Sequence, residues 1–149
     1  LWVCNFGRID GENVFVYDEE TFEHVGTVEF DGNAVETAFS PDGRFAYISN
    51  FRRGRVEVVD TETFEVVREI AVGANPKTMV ATTDGTRLYV ALYMQRQVVA
   101  IDTTSWEITQ RLHTGQQPRG MVLAEGLLFV ASFRSDFVQV FDAEGVEQR

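Results

Sequence analysis

The chain alternates apolar and polar residues over short stretches, which are separated by turns rich in glycine, aspartate and threonine. In residues 56–97 this pattern predicts four strands, Val56–Asp60, Glu65–Val72, Thr78–Thr82 and Leu88–Tyr93. The Asp84–Gly85 pair before the last of them is a strong hairpin signal. No window has the three-and-four spacing of an amphipathic helix, so the pattern predicts an all-β chain. Apolar residues fall on both strand faces, which is typical of sheets covered on both sides.

This strand pattern recurs along the chain with a period of 42 residues. Shifting residues 14–55 onto residues 56–97 aligns twelve identical positions, among them Asp18 with Asp60 and Tyr47 with Tyr89. Residues 98–137 form a third copy, and residues 1–13 and 138–149 are partial copies. Four short strands in about 40 residues are typical of a β-propeller blade. We therefore expect residues 1–149 to be one partial β-propeller built from four-stranded antiparallel blades.

The repeat resembles that of the YVTN-type propeller family. Residues 40–50 read SPDGRFAYISN, residues 56–63 read VEVVDTET and residues 70–76 read IAVGANP, which match the family's S-P-D-G, Y-V-x-N, V-x-V-I-D-T and I-x-V-G-x-x-P segments. The last copy, from residue 118 to 142, is also similar to an NHL repeat. The resemblance implies a bacterial or archaeal protein that is often exported, so we expect a periplasmic or extracellular location. No signal peptide is visible in the chain.

The chain holds too few blades to close a ring of the expected kind. By blade convention it begins at a second strand, completes two blades and ends near a third strand, which makes about three and a half blades. Closed rings have four to eight blades, and the resemblance implies seven. An open wedge would expose two apolar blade faces, and such patches are rare on monomers. We expect either part of a longer propeller or a half-ring that closes as a homodimer.

Composition and charge exclude several classes of protein. Of the 149 residues, 44% are hydrophobic and 24% are charged, as in an ordinary globular domain. The net charge is -10, so nucleic acid would be repelled and is not an expected partner. No apolar run in the sequence approaches the ~18 residues of a membrane span. The single cysteine, Cys4, excludes an intrachain disulfide.

The charges separate between the two faces of the expected propeller. Hairpins within the blades carry mostly acidic residues, whereas the loops after each second strand and between blades carry mostly basic ones. We call this second surface the basic face, and its candidate binding residues are Arg52, Arg53, Arg55, Lys77, Arg96, Arg119 and Arg134. Lys77 and Arg119 are equivalent in the repeat, each entering an innermost strand at the channel mouth. Arginine can donate two hydrogen bonds to a carboxylate or phosphate, so this face is a candidate site for an anionic ligand or an acidic protein.

A plainer interpretation of the same residues is that loop arginines only keep the surface soluble. Aromatic residues also recur at the ends of the second strands, at Phe6, Phe51, Tyr93 and Phe133. They could form an aromatic rim beside the arginines. We favour the alternative, that they pack between blades, because they share a predicted sheet face with other aromatic residues.

Carboxylates recur in the repeat without forming an obvious catalytic set. Asp18, Asp60, Asp102 and Asp142 each close a third strand, where an aspartate accepts backbone N–H groups in an Asx-type turn. They belong to different blades, so they cannot converge on one metal. Glu36 lies near the mouth of an innermost strand, and it is the one carboxylate that we keep as a possible channel group.

The sequence contains no recognisable cofactor or metal site. His24 and His113 fall on outermost strands, away from the channel and without ligand-type neighbours, so no metal or haem is expected. Cys4 aligns with Ser49 and Ala91, which predicts a small buried residue rather than a nucleophile.

These observations favour a non-catalytic binding or scaffold module that uses the basic face. Related propellers include the haem d1 domain of nitrite reductases, amine dehydrogenase subunits and lactonases. A first alternative is therefore the propeller part of a periplasmic oxidoreductase or lactonase-like enzyme, with its active residues in blades not present here. A second alternative is a structural protein of the surface layer, in which similar repeats occur.

Overall fold

The computed structural model describes residues 1–7, 11–142 and 147–148, and these form four antiparallel sheets without a helix. The first sheet, blade 1, contains β1 (Trp2–Cys4), β2 (Val14–Tyr17) and β3 (His24–Val28). Blade 2 contains β4 (Ala34–Phe39), β5 (Phe45–Asn50), β6 (Arg55–Asp60) and β7 (Val66–Ala71). Blade 3 contains β8 (Pro76–Ala81), β9 (Arg87–Leu92), β10 (Gln97–Asp102) and β11 (Ile108–His113). Blade 4 contains β12 (Pro118–Ala124), β13 (Leu127–Ser132), β14 (Val138–Phe141) and β15 (Glu147–Gln148).

The strands follow one another in order across each sheet, as in a propeller blade. The first strands of blades 2, 3 and 4 neighbour one another, and β1 lies beside β4. These first strands are therefore innermost and line the channel side. The prediction of an all-β propeller with four-stranded antiparallel blades is confirmed.

The end of the chain differs from the expectation of a blade that stops near its third strand. A short fourth strand, β15, pairs with β14 through Val140 opposite Gln148 and Phe141 opposite Glu147. Within the described part of the chain, blade 4 thus has four strands and blade 1 has three. A strand of only two residues is too short to show an alternating pattern, so periodicity could not indicate it.

Aspartates at the ends of the third strands shape the outer hairpins. Asp18 Oδ1 accepts the N–H groups of Glu20 and Thr21 at 2.9 and 2.8 Å, and Asp60 and Asp102 accept equivalent pairs. These backbone donors lower the pKa of all three carboxyl groups. The predicted Asx-type turns are therefore present at these positions, while the turn after Asp142 lies outside the described residues.

Three apolar clusters hold the blades together. Blades 1 and 2 share a cluster that includes Val14, Val28, Ile48 and Val59. Blades 2 and 3 share Tyr47, Val58, Leu88 and Val99, and blades 3 and 4 share Tyr89, Val98, Leu128 and Phe141. Blades 2 and 3 are covered on both sides, which explains why apolar residues occupy both faces of their strands.

The outer hairpins of blades 2 and 3 each insert one aromatic side chain into the preceding blade. Phe64 packs edge-on against Trp2, with ring centres 5.8 Å apart. Trp106 packs against Phe45 and Tyr47, with ring centres 6.1 and 6.3 Å apart. Both inserted residues have positive φ, 62° and 63°, which turns their side chains out of their own sheet. In both cases the inserted side chain comes from the later blade in the sequence and packs against the earlier one.

The linker between blades 1 and 2 needs glycine at position 32. Gly32 is buried with φ of 134°, and an added Cβ would collide with the amide of Asn50. We expect Gly32→Ala to lower the free energy of unfolding by about 2–3 kcal/mol, through backbone strain and displacement of Asn50. Gly43→Ala is the control, since φ is 73° there but the space is open; it should cost about 1 kcal/mol. Urea denaturation measures both, and equal losses would contradict the packing argument.

None of the described residues forms a helix that is long and apolar enough to cross a membrane.

Candidate functional site

Two equivalent pairs of a cation and an aromatic ring lie on the basic face at the channel mouth. The Nζ of Lys77 lies 4.5 Å from the ring centre of Tyr93, and the guanidinium carbon of Arg119 lies 5.9 Å from that of Phe133. In both blades the cation is the second residue of the innermost strand, and the aromatic residue directly follows the second strand. Blade 2 has Val35 at the cation position, so the pair occurs in blades 3 and 4 alone among the described blades.

Loop hydrogen bonds fix the aromatic partners of these pairs. The N–H of Tyr93 donates to the carbonyl of Asn75 at 3.0 Å, and that of Phe133 donates to the carbonyl of Gln117 at 2.9 Å. Asn75 and Gln117 have φ of 57° and 59°, which brings each inter-blade linker back toward the loop. The hydroxyl of Tyr93 also donates to Oε1 of Gln117 at 3.1 Å. The two pairs are thus joined across the boundary between blades 3 and 4.

The charge of Arg119 disfavours the charged form of Lys77. Partial burial and then the nearby charge of Arg119 lower the pKa of Lys77, and Glu36 acts in the opposite direction. The hydroxyl of Thr78 donates to the carbonyl of Arg119, which holds β8 against β12. This part of the mouth therefore presents two like charges from neighbouring innermost strands.

Glu36 lies on β4, the innermost strand of blade 2. Its Oε1 accepts the N–H of Met79 on β8 at 3.4 Å. Burial raises the pKa of this carboxyl group. The negative charge of Glu36 favours the charged form of Lys77, and it partly offsets the positive potential of the mouth.

The other predicted binding residues divide into paired and exposed ones. Arg53 forms an ion pair with Asp31. Arg55 Nε lies 2.6 Å from Oε1 of Glu57, and its Nη1 lies 2.8 Å from Oε2 of Glu69. Their charges are therefore partly neutralised within blade 2 and its linker. The exposed ones, in loops after second strands, are Arg52, Arg96 and Arg134.

The aromatic residues form a partly open rim rather than a packed layer. Phe6 and Phe133 are 56% and 64% exposed, and Phe51 and Tyr93 are half-buried. Phe6 and Phe51 contact each other edge-on, with ring centres 5.9 Å apart. Phe6 thus meets Phe51 across the boundary between blades 1 and 2, as packing between blades predicts, whereas Phe133 lies exposed in a loop beyond its strand. Strand alternation could not predict their direction.

The histidines and the cysteine lie away from the cation–aromatic pairs. His24 is on β3 and His113 is on β11, the outermost strands of blades 1 and 3. The ring of His24 forms a hydrogen bond of 2.9 Å with the hydroxyl of Thr27. Cys4 is half-buried, its Sγ lies 3.1 Å from the hydroxyl of Thr37, and burial raises the pKa of the thiol. Within the described residues, no group of three or more metal-ligating side chains converges.

Two cavities lie apart from the basic face. One of about 410 Å³ lies between the acidic hairpins of blades 3 and 4, lined by Asp84, Arg87 and Glu125 among others. Another of about 720 Å³ lies along the inner edge of β1, beside Trp2, Glu36 and Phe39. Neither cavity is lined by a residue of the two cation–aromatic pairs.

This architecture is that of a β-propeller module with a basic mouth. The chain belongs to the cytochrome D1 heme domain family, which matches residues 8–146. Among solved structures it is similar to the hydrazine synthase of Kuenenia stuttgartiensis, with 27% identity and a TM-score of 0.83. The match covers 93% of this chain but only 42% of that one. The comparison with curated proteins gives no match. The propeller class is thus confirmed, and the YVTN type of the repeat stays a prediction.

The family name implies a haem group, and the described residues place no histidine at the mouth to serve as an axial ligand. Haem iron is held by an axial side chain such as histidine, cysteine, methionine or tyrosine. Both histidines are on outermost strands. The thiol of Cys4 is hydrogen-bonded to the hydroxyl of Thr37, and the hydroxyl of Tyr93 donates a hydrogen bond to Gln117. The mouth offers cationic side chains and aromatic rings. These suit the carboxylate groups of a ligand, and they are not the side chains that hold a metal ion.

Proposed function

We propose that the chain is the binding module of a propeller whose basic mouth takes an anionic ligand between Lys77 and Arg119. The observation that supports this most directly is the pair of like charges on neighbouring innermost strands. Partial burial and mutual repulsion both disfavour the charged form of Lys77. An anion between the two cations would relieve this repulsion and strengthen each cation's interaction with its aromatic ring.

The two pairs favour a ligand with carboxylate or phosphate groups and a flat apolar part. Arg119 can donate two parallel hydrogen bonds to one anionic group, while Lys77 acts as a point charge. The rings of Tyr93 and Phe133 flank the cations and offer apolar surface to the rest of the ligand. The acidic side chain of a protein partner has the same anionic chemistry, so it would use the same residues.

Membership of the cytochrome D1 heme domain family favours one alternative, the propeller part of a haem-related enzyme. Because the described mouth supplies no imidazole, the iron chemistry in that case would depend on residues outside this chain. Such a role is compatible with binding of an acidic ligand edge by Lys77 and Arg119. The expected periplasmic or extracellular location stays a proposal that cell fractionation would test.

Titration with phthalate, a planar aromatic dicarboxylate, tests the proposed site. We expect the wild-type chain to bind it and the double substitution Lys77→Ala with Arg119→Ala to weaken binding at least tenfold. The reason is that charge-assisted hydrogen bonds contribute about 1.5–3 kcal/mol each. Isothermal titration calorimetry at low and moderate salt measures the change.

Arg111→Ala is the matched control, because Arg111 is exposed on the outermost strand β11. It removes a cation from the chain without touching the mouth. Equal loss in the control would indicate a general charge effect, and unchanged affinity in the double variant would exclude this site. Benzoate should bind more weakly than phthalate if both cations take part.

A further inference from the structure

At the three boundaries between the described blades, an amide side chain of the linker is tied to the aromatic residue that follows the second strand of the preceding blade. At the first two boundaries the tie goes to the backbone. The Nδ2 of Asn33 donates to the carbonyl of Phe6 at 2.7 Å, and the Nδ2 of Asn75 donates to the carbonyl of Phe51 at 3.3 Å. Both bonds hold the backbone of the loop, because phenylalanine offers no polar side-chain atom.

The boundary between blades 3 and 4 is tied differently. Gln117 takes the place of Asn75 in the repeat, and Tyr93 takes the place of Phe51. Here the hydroxyl of Tyr93 donates to Oε1 of Gln117 at 3.1 Å, so the amide holds the ring itself. Among the four aromatic residues of the rim, Tyr93 alone carries a hydroxyl group. The ring that is fixed in this way lies 4.5 Å from the Nζ of Lys77.

The same hydrogen bond links the two cation–aromatic pairs. Gln117 precedes Arg119 by two residues, and Pro118 between them is buried and has a fixed φ. A second bond, from the hydroxyl of Thr78 to the carbonyl of Arg119, joins the two innermost strands directly. Lys77 and Arg119 are therefore held relative to each other at two points, one in the loops and one between the strands.

We propose that Tyr93 and Gln117 are positioning residues that make the basic mouth selective for a ligand with two anionic groups at one fixed spacing. This role rests on the proposed function, in which Lys77 and Arg119 bind the ligand. Binding to a site that is already ordered costs less conformational entropy. A rigid pair of cations also disfavours ligands whose anionic groups are spaced differently. Without the hydrogen bond, the ring and the linker would move independently, and Arg119 would adapt to ligands of other geometry.

Binding of the three benzene dicarboxylates tests this role, because phthalate, isophthalate and terephthalate carry the same charge at increasing spacing. We expect the best of the three to bind the wild-type chain about tenfold or more tightly than the worst, as measured by isothermal titration calorimetry. Tyr93→Phe keeps a ring beside Lys77 but removes the hydroxyl, so this range of affinities should narrow by about fivefold, the effect of one hydrogen bond. Gln117→Asn shortens the amide side chain and supplies the residue that the other two linkers have, so it should narrow the range by the same factor.

The double substitution Tyr93→Phe with Gln117→Asn re-creates the residues of the boundary between blades 2 and 3, so the loop should stay tied while the selectivity is lost. Its range of affinities should equal that of either single variant, because both substitutions remove the same hydrogen bond. Tyr17→Phe is the matched control, since it removes a tyrosine hydroxyl from β2, away from the mouth; it should keep the wild-type range. Urea denaturation checks that every variant remains folded.

The outcomes distinguish a failure of this role from a failure of the proposed function. A wild-type chain that binds all three isomers equally would overturn the positioning role while leaving the mouth as a binding site. So would a Tyr93→Phe variant that loses affinity for all three isomers by the same factor, because this indicates a general weakening of the site. If the wild-type chain binds none of the isomers, both the positioning role and the proposed function are wrong.

Discussion

Replacing Leu88 with alanine should lower the free energy of unfolding by about 3 kcal/mol. Leu88 is fully buried in the cluster between blades 2 and 3, where it lies with Tyr47, Met79 and Ile101. Removing a buried leucine loses its transfer free energy and leaves a cavity, and such changes cost about 2–5 kcal/mol. The two sheets that form this cavity are each tied to a second neighbour, so they cannot easily move together to fill it.

Urea denaturation followed by tryptophan fluorescence measures this loss, because Trp106 packs against the same cluster. Val67→Ala is the control, since Val67 is 53% exposed and its truncation should change stability by less than about 0.5 kcal/mol. A loss below about 1 kcal/mol in Leu88→Ala would mean that the blades repack. It would contradict the rigid interlocking of blades 2 and 3.

The repeat allowed the four strands from β6 to β9 to be predicted within one or two residues. The strand predicted over Thr78–Thr82 is observed as Pro76–Ala81, and Leu88–Tyr93 as Arg87–Leu92. Equivalent positions in different copies indicate which residues share a face, and this signal depends on local sequence alone. The position of Lys77 and Arg119 at the mouth followed from the same equivalence.

The contacts that define the site depend on pairs far apart in the sequence. The ring of Tyr93 lies under Lys77, and its hydroxyl reaches Gln117, 24 residues away. Neither contact follows from the alternation of apolar and polar residues. Phe133 is equivalent to Tyr93 in the repeat. The repeat therefore indicates that, if one cation–aromatic pair forms, the other should form too, but it does not indicate that either pair forms.

Arg55 illustrates a basic residue whose role the sequence could not assign. Its position on the basic face suggested ligand binding, but in the structure it faces Glu57, which is fully buried. Oε1 of Glu57 also accepts the amide of Asn50 at 2.7 Å, while Oε2 has no partner among the described residues. Burial raises the pKa of this carboxyl group. A buried charge with one well-paired oxygen depends strongly on the cation beside it.

Replacing Arg55 with alanine should therefore destabilise the chain by about 2 kcal/mol at neutral pH. Breaking a buried ion pair costs about 3–5 kcal/mol, and the partial exposure of Arg55, whose side chain is 23% accessible, reduces this figure. Adding Glu57→Gln to Arg55→Ala should recover about half of the loss, because glutamine leaves no buried charge uncompensated. Equal stability of the single and double variants would contradict the pairing argument.

The pH dependence of these variants gives an independent readout with a defined sign. Because the folded pKa of Glu57 is raised above its ordinary value of 4.5, its contribution is full below that pH and declines as pH rises through the folded pKa. Arg55→Ala raises this pKa further, so the decline should continue to higher pH, whereas Glu57→Gln should remove it. The raised pKa of Glu36 contributes a decline of the same sign in every variant, so the difference between variants carries the test. A stability profile of Glu57→Gln that runs parallel to that of wild type between pH 5 and 8 would contradict this argument. It would mean that Glu57 ionises in the folded chain without cost, because groups other than Arg55 and Asn50 compensate its charge.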